Sequence, residues 1–265
     1  MQAPVRIALL LCDTPIPSVQ ATDGDYTAIF NVLLRNSLPT DVPIDFTLDP
    51  YDVRNAQQYP DNIDDYRAII LTGSAASAYE NLEWINRLVS FVRDVAQNKP
   101  HIKLIGICFG HQIIARAMGG ECVPNDGKWE VGVTELDLTD VGKQLFGVAK
   151  LNLQQMHRDH VPAVPPSFHL LGSTPVAPNQ GMVRFYEDSD GGNAKPENVH
   201  VLTVQGHPEF TQRISEKIVD ARASTGVLSK EVAEDARRRA AWRNDGVSIF
   251  GNVIWKVLGV GSMNA

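Results

Sequence analysis

An apolar run from Ile102 to Ile107 passes without a linker into Gly106-Ile107-Cys108-Phe109-Gly110-His111-Gln112, and a second apolar segment, Ile113 to Met118, follows at once. This junction constrains the fold more than any other stretch. A strand that turns sharply into a helix leaves the residue at the apex on a strained turn, and glycines on either side let strand and helix pass closely. The turn would lift the Cys108 side chain out of the sheet and set it at a helix N-terminus, where the dipole favours a thiolate. Gly-x-Cys-x-Gly alone also fits a buried structural cysteine beside two packing glycines. The strand before it and the helix after it favour a nucleophile.

The neighbouring segments supply a sheet for such a turn. Val5 to Leu11, Ile44 to Leu48 and Tyr66 to Leu71 read as strands, the first of them a continuous apolar run suited to a parallel strand buried on both faces. Tyr26 to Leu34 and Leu82 to Gln97 carry apolar residues at helical spacing, and Asp13 to Asp25 reads as a loop. Strands alternating with helices imply a parallel sheet covered on both faces. Beyond about residue 120 the pattern changes to strands separated by turns: Glu130 to Leu138, Leu151 to Met156, His169 to Ser173, Met182 to Tyr186 and Val199 to Val204. Asp188 to Glu197 reads as an exposed loop, helices return only after Phe210, and Glu231 to Arg239 reads as a solvated helix face.

Composition narrows the function. With 265 residues, 43% of them hydrophobic, the chain is expected to form one α/β domain over 1–265, with a helical extension from about 211 to 265. A net charge of -7 argues against nucleic acid or an anionic membrane as partner. Three cysteines, Cys12, Cys108 and Cys122, do not make a disulfide framework, and no apolar run is long enough to span a bilayer. The expectation is a cytoplasmic protein in which Cys12 and Cys122 are packing residues. No metal-ligand spacing is present, and no metal or other cofactor is expected.

A cysteine nucleophile needs a base near it in space. His207, in Gln205-Gly206-His207-Pro208-Glu209-Phe210, follows the apolar strand 199–204 as Cys108 follows its own. Parallel strands ending at one sheet edge bring their following loops together. Glu209 is placed to bond the second imidazole nitrogen and fix its tautomer. His111 is the nearest rival, but from its helix it would lean back over the turn, and His101 precedes its strand, at the wrong edge. A serine-type esterase is excluded as the elbow carries cysteine.

Together, Gly106-Ile107-Cys108-Phe109-Gly110-His111-Gln112 and Gly206-His207-Pro208-Glu209 resemble the class I glutamine amidotransferase family, in particular its stand-alone branch that includes the plant gamma-glutamyl peptidases. The resemblance spans Val5 to about Trp242 and implies a flavodoxin-like three-layer αβα sandwich, its sheet mostly parallel with additional antiparallel strands. It implies a catalytic triad of Cys108, His207 and Glu209, and an oxyanion hole from the Gly73-Ser74 loop and the Phe109 amide. Ser74 stands where the family usually has a second glycine. Gln112, with the loops Lys128-Trp129-Glu130-Val131-Gly132 and Met156-His157-Arg158-Asp159, is implied to hold the amino-acid end of glutamine or another gamma-glutamyl substrate, through Trp129, Glu130, His157, Arg158 and Asp159. The implied reaction is cysteine-dependent hydrolysis of a gamma-glutamyl amide through a glutamyl thioester. The alternatives are a glutaminase subunit feeding ammonia to a separate synthetase partner, and a non-catalytic regulatory protein on the same fold. No ATP-binding Gly-x4-Gly-Lys loop is found, so the ammonia reading would require that partner.

Overall fold

The computed structural model describes residues 3–40, 42–186 and 194–261. Eleven strands and eight α-helices follow in the order β1 (Val5–Leu11), α1 (Pro17–Asp23), α2 (Tyr26–Ser37), β2 (Phe46–Asp52), β3 (Ala68–Leu71), α3 (Glu83–Asn98), β4 (Lys103–Ile107), α4 (Phe109–Ala117), β5 (Val123–Pro124), β6 (Glu130–Leu138), α5 (Asp140–Phe146), β7 (Lys150–His157), β8 (Asp159–His160), β9 (His169–Ser173), β10 (Gly181–Phe185), β11 (Val199–Val204), α6 (Gln212–Ser224), α7 (Lys230–Arg238) and α8 (Asn252–Val257). Nine strands form one sheet in the order β2-β1-β3-β4-β11-β10-β9-β6-β7, while β5 and β8 pair separately. From β2 to β11 every pairing is parallel; from β11 through β10, β9 and β6 to β7 every pairing is antiparallel.

The reason lies in the strands. β3, β4 and β11 are buried at every position, so each needs cover on both faces. That cover comes from α3 and α4 on one face and from α1, α2 and the C-terminal helices on the other, each with its own apolar core. The second core is closed by Trp255, which is fully buried and donates its indole N–H to the Leu34 carbonyl at 3.0 Å. The expected three-layer αβα sandwich, with a mostly parallel sheet and added antiparallel strands, is therefore the observed one.

Two expectations fail. Asp13 to Asp25 is not all loop, because α1 occupies Pro17–Asp23; its N-cap Ile16 makes no side-chain capping bond and Val19 is its one buried residue, so it has little amphipathic signature. Helices do not wait for Phe210, since α5 lies between β6 and β7; at seven residues it is too short for periodicity, but its Thr139 cap bonds Gly142 N and Gly147 closes it in the left-handed conformation. Part of the expected loop 188–197 lies outside the described residues, and its described end runs into a 3-10 turn, Pro196–Asn198. The face 231–239 is helical as expected, but Arg239 turns inward and donates to the Val131 carbonyl at 2.8 Å. No helix among the described residues is long and apolar enough to cross a membrane.

Candidate active site

The elbow forms for the reasons its sequence suggests. Cys108 sits at φ +52°, ψ -103°, a conformation disfavoured for any residue with a side chain, and its N–H is tied to the Val204 carbonyl at 2.9 Å. A methyl group on Gly106 would lie 2.7 Å from the Gly110 carbonyl oxygen, and one on Gly110 would lie 2.5 Å from the Leu71 oxygen. Both glycines are thus imposed by α4 passing over the ends of β3 and β4.

His207 follows β11, the strand beside β4, and meets the elbow. Its Nδ1 lies 2.7 Å from Glu209 Oε1, and both side chains are almost wholly buried. The ring is stacked on Phe210, with centroids 4.0 Å apart and planes 7° from parallel. Its backbone N–H is held by the Gln154 carbonyl of β7 at 2.8 Å. Burial alone would lower the imidazole pKa, but the negative charges of Cys108 and Glu209 and the hydrogen bonds to them outweigh it and raise it to about 10. The geometry therefore favours an imidazolium beside the sulfur. Glu209 Oε2 is buried without a hydrogen-bond partner among the described residues.

Gly73 completes the contact. A Cβ there would fall 2.7 Å from His207 Cε1 and 3.7 Å from Cys108 Cβ, so only glycine lets the 72–76 loop lie against both. Asp13 pins that loop: Oδ2 accepts from Ala75 N at 2.7 Å and Ser74 Oγ at 3.1 Å, while Oδ1 pairs with Arg54. No hydrogen bond to the Gly73 or Ser74 N–H forms among the described residues. Phe109, at the first position of α4, has an N–H without an intrahelical acceptor.

A cleft of about 340 Å³ opens over Cys108, lined among others by Ser74, Gln112, Trp129, His157, Arg158 and Asp159. Gln112 Nε2 bonds the Asp159 carbonyl and Gln205 Oε1, both at 3.1 Å, and Gln205 Nε2 reaches back to Cys108 Sγ at 3.6 Å. Glu130 is not part of this wall. It is buried behind it, accepting from Thr174 Oγ1 at 2.6 Å and from Gln180, with His157 Nε2 3.0 Å away. His111 is turned away as expected, its Nδ1 2.8 Å from Thr203 Oγ1, and burial together with repulsion from His157 pushes its pKa down to about 3. His101 lies elsewhere, exposed and paired with Asp64. Cys12 and Cys122 are buried in the core, and burial pushes the Cys12 thiol up to about 12. No group of three or more His, Cys, Asp or Glu side chains among the described residues could hold a metal ion.

Two features of the site were not readable beforehand. Arg222 of α6 lines the cleft, its guanidinium 5.2 Å from the centre of the Trp129 ring. The segment after α7 buttresses the base loop: Asn244 Nδ2 bonds the Phe210 carbonyl at 3.0 Å, and a Cβ on Gly246 would meet the Pro208 oxygen at 2.3 Å. Asp245, 1% exposed, ties this segment to β7 through Asn152 N at 3.0 Å. The Asn-Asp-Gly triplet signals a turn in sequence, but nothing local says what the turn touches.

Known proteins share this arrangement of chain. A family model described as glutamine amidotransferase class-I matches residues 25–221. A glutamine amidotransferase-like protein of Schizosaccharomyces pombe is 38% identical over 239 residues, covering 89% of this chain and 91% of its own. Gamma-glutamyl peptidase 3 of Arabidopsis thaliana is 29% identical over 191 residues, covering 68% of this chain and 70% of its own. The crystal structure of a Thermotoga maritima glutamine amidotransferase superposes with a TM-score of 0.69 at 15% identity, covering 97% of this chain and 99% of its own. The chain belongs to the class I glutamine amidotransferase family.

Proposed function

We propose that this protein hydrolyses a gamma-glutamyl amide bond, with Cys108 as nucleophile, His207 as acid and base, and Glu209 orienting His207. The observation that carries the reading is the buried 2.7 Å contact between His207 Nδ1 and Glu209, which leaves Nε2 for the sulfur at the apex of the strained turn. The side-chain carbonyl carbon of the glutamyl group takes the new bond from Sγ, and the oxyanion is stabilised by the N–H groups of Ser74 or Gly73 and Phe109. As the carbon–nitrogen bond breaks, the departing amine takes the proton from His207 Nε2. Water then adds to the thioester carbon and gives its proton to His207. The carbon–sulfur bond breaks, releasing glutamate and restoring the thiolate.

Gln112, Trp129, His157, Arg158 and Asp159 would hold the amino-acid end of the glutamyl group in the cleft, with Glu130 setting His157 from behind. The Arabidopsis relative named a gamma-glutamyl peptidase favours a peptide amine as leaving group. The test is glutamate release by the purified chain from glutamine and from gamma-glutamyl peptides, with Cys108→Ala as control. The expected result is faster release from the peptides, lost in the variant. Release from glutamine alone would instead favour a glutaminase subunit serving a separate synthetase.

A further inference from the structure

A second, smaller cavity of about 70 Å³ adjoins the cleft on the far side of the catalytic loop. It is lined by His207 and not by Cys108, whereas the cleft is lined by Cys108 and not by His207. Ser74, Ala75, Met156 and Arg222 line both. A substrate with its carbonyl carbon at Cys108 and its leaving nitrogen within reach of His207 has to cross this shared wall.

The two sides differ in chemistry. The cleft offers Gln112, Arg158 and the Asp159 loop, which suit the charged amino-acid head of a glutamyl group. The small cavity is walled by Ile16, Val19, Tyr26, Ile29, Phe210 and Ile214, where an ammonium or carboxylate would be stripped of water without replacement bonds. Besides His207, its charged groups are Asp13 and Arg222, at the shared wall or beside it. Asp13 is already engaged by Arg54, Ser74 and Ala75. The Arg222 guanidinium makes no hydrogen bond or ion pair among the described residues and rests over Trp129. A cation without a carboxylate, at the wall that the cleft shares with an apolar cavity, matches an apolar amino acid whose amine is in the scissile bond.

We infer that the cavity beside His207 receives the side chain of the residue released, that Arg222 binds the carboxylate of that residue, and that the preferred substrates are gamma-glutamyl dipeptides ending in an apolar residue such as valine or leucine. This rests on the hydrolase reading above and adds the leaving-group specificity. Ammonia, the leaving group of glutamine, would use neither feature.

The experiment measures kcat/KM of the wild type, Arg222→Met and Ile218→Phe for gamma-glutamyl-leucine, gamma-glutamyl-glycine and gamma-glutamyl-leucinamide, with thermal unfolding to confirm that each variant is folded. Wild type should prefer leucine to glycine by about tenfold or more, the scale of filling an apolar pocket. It should prefer the free carboxylate to the amide by a similar factor. Arg222→Met should remove the second preference, and Ile218→Phe, which narrows the cavity wall, should shrink the first. Equal rates for leucine and glycine, or carboxylate preference intact in Arg222→Met, would overturn the subsite while leaving gamma-glutamyl hydrolysis standing. Failure of the folded wild type to release glutamate from any of the three would remove the hydrolase reading and this subsite with it.

Discussion

The parallel and antiparallel halves of the sheet are built from different material. In β3, β4 and β11 most buried positions are apolar, with Lys103, His200 and Thr203 the exceptions, and Cys108 and His207 lie just beyond the strand ends. In the antiparallel half the strands themselves bury polar side chains: Glu130 at the start of β6, and Gln154, Gln155 and His157 along β7. These find side-chain partners, Gln155 in Gln180 just before β10 at 3.1 Å and Gln154 in Ser215 of α6 at 2.9 Å. A buried polar group is costly when unpaired and orienting when paired. The parallel half thus presents Cys108 and His207, while the antiparallel half holds what stands opposite them, including the His207 backbone.

The strongest way to break this division is at Cys108. Replacement by alanine should lower turnover by at least about ten thousandfold, as the proposed nucleophile is lost, while leaving the melting transition close to wild type, since only one buried sulfur is removed. Replacement by glycine should be equally inactive, yet about 1 kcal/mol more stable than the alanine variant, because only glycine is at ease at φ +52°. Paired denaturant melts measure this. Equal stability of the two variants would mean that the turn stores no strain. Next in size is Glu209→Gln, where the base remains but its tautomer and charge are no longer held. A loss of about a hundredfold in kcat, smaller than at Cys108, is expected in steady-state assays.

The division also explains what could be read from sequence. The elbow was legible because its strand, turn and helix are contiguous, so every constraint on Gly106 and Gly110 comes from nearby in the chain or from one neighbouring strand. His207 was legible because Val199, Val201, Leu202 and Val204 mark a strand just ahead of its turn, as Leu104, Ile105 and Ile107 do ahead of Cys108. Arg222 was not, because on α6 it sits among Lys217, Asp220 and Ser224 and reads as another exposed charge. Its meaning comes from Trp129 of a distant loop. Glu130, which the resemblance of the 128–132 loop set against the substrate, lies behind the cleft instead, because Thr174 and Gln180 hold its carboxylate there. Asp245 depends on a contact with β7 that no spacing encodes.

Two histidines beside the parallel strands differ in partner. His207 is held above its unfolded value of ~6.5 by Cys108 and Glu209. The stability this provides is full below that pH and disappears as the pH rises through about 10. His111 has only the Thr203 hydroxyl, and burial holds it near 3. Between ~6.5 and that value the unfolded chain binds the proton that the native one refuses, so stability falls as the medium is acidified. His111→Asn should therefore flatten the acid side of a stability–pH curve, and His207→Gln the alkaline side. Urea unfolding across pH 4 to ~10 reads both slopes, each at most about 1.4 kcal/mol per pH unit. Matching slopes on the same side for both variants would mean that the partners do not set the charge.

The smallest expected effect tests how the 72–76 loop, the proposed oxyanion loop, is held. Ser74 Oγ donates to Asp13 and accepts from Ala76 N at 3.1 Å, so it is a brace within the loop. Its removal in Ser74→Gly leaves the Asp13 carboxylate bonded to Ala75 N at 2.7 Å and paired with Arg54, and leaves Gly73 wedged against His207. The backbone N–H that would face the oxyanion is unchanged in the variant. Turnover should fall less than about tenfold, through loop entropy rather than a lost donor. Asp13→Asn should cost more than Ser74→Gly, because it weakens the charged anchor on which all three contacts converge. If Ser74→Gly instead matched Glu209→Gln in its loss, the serine hydroxyl itself would have to be counted among the groups that meet the substrate.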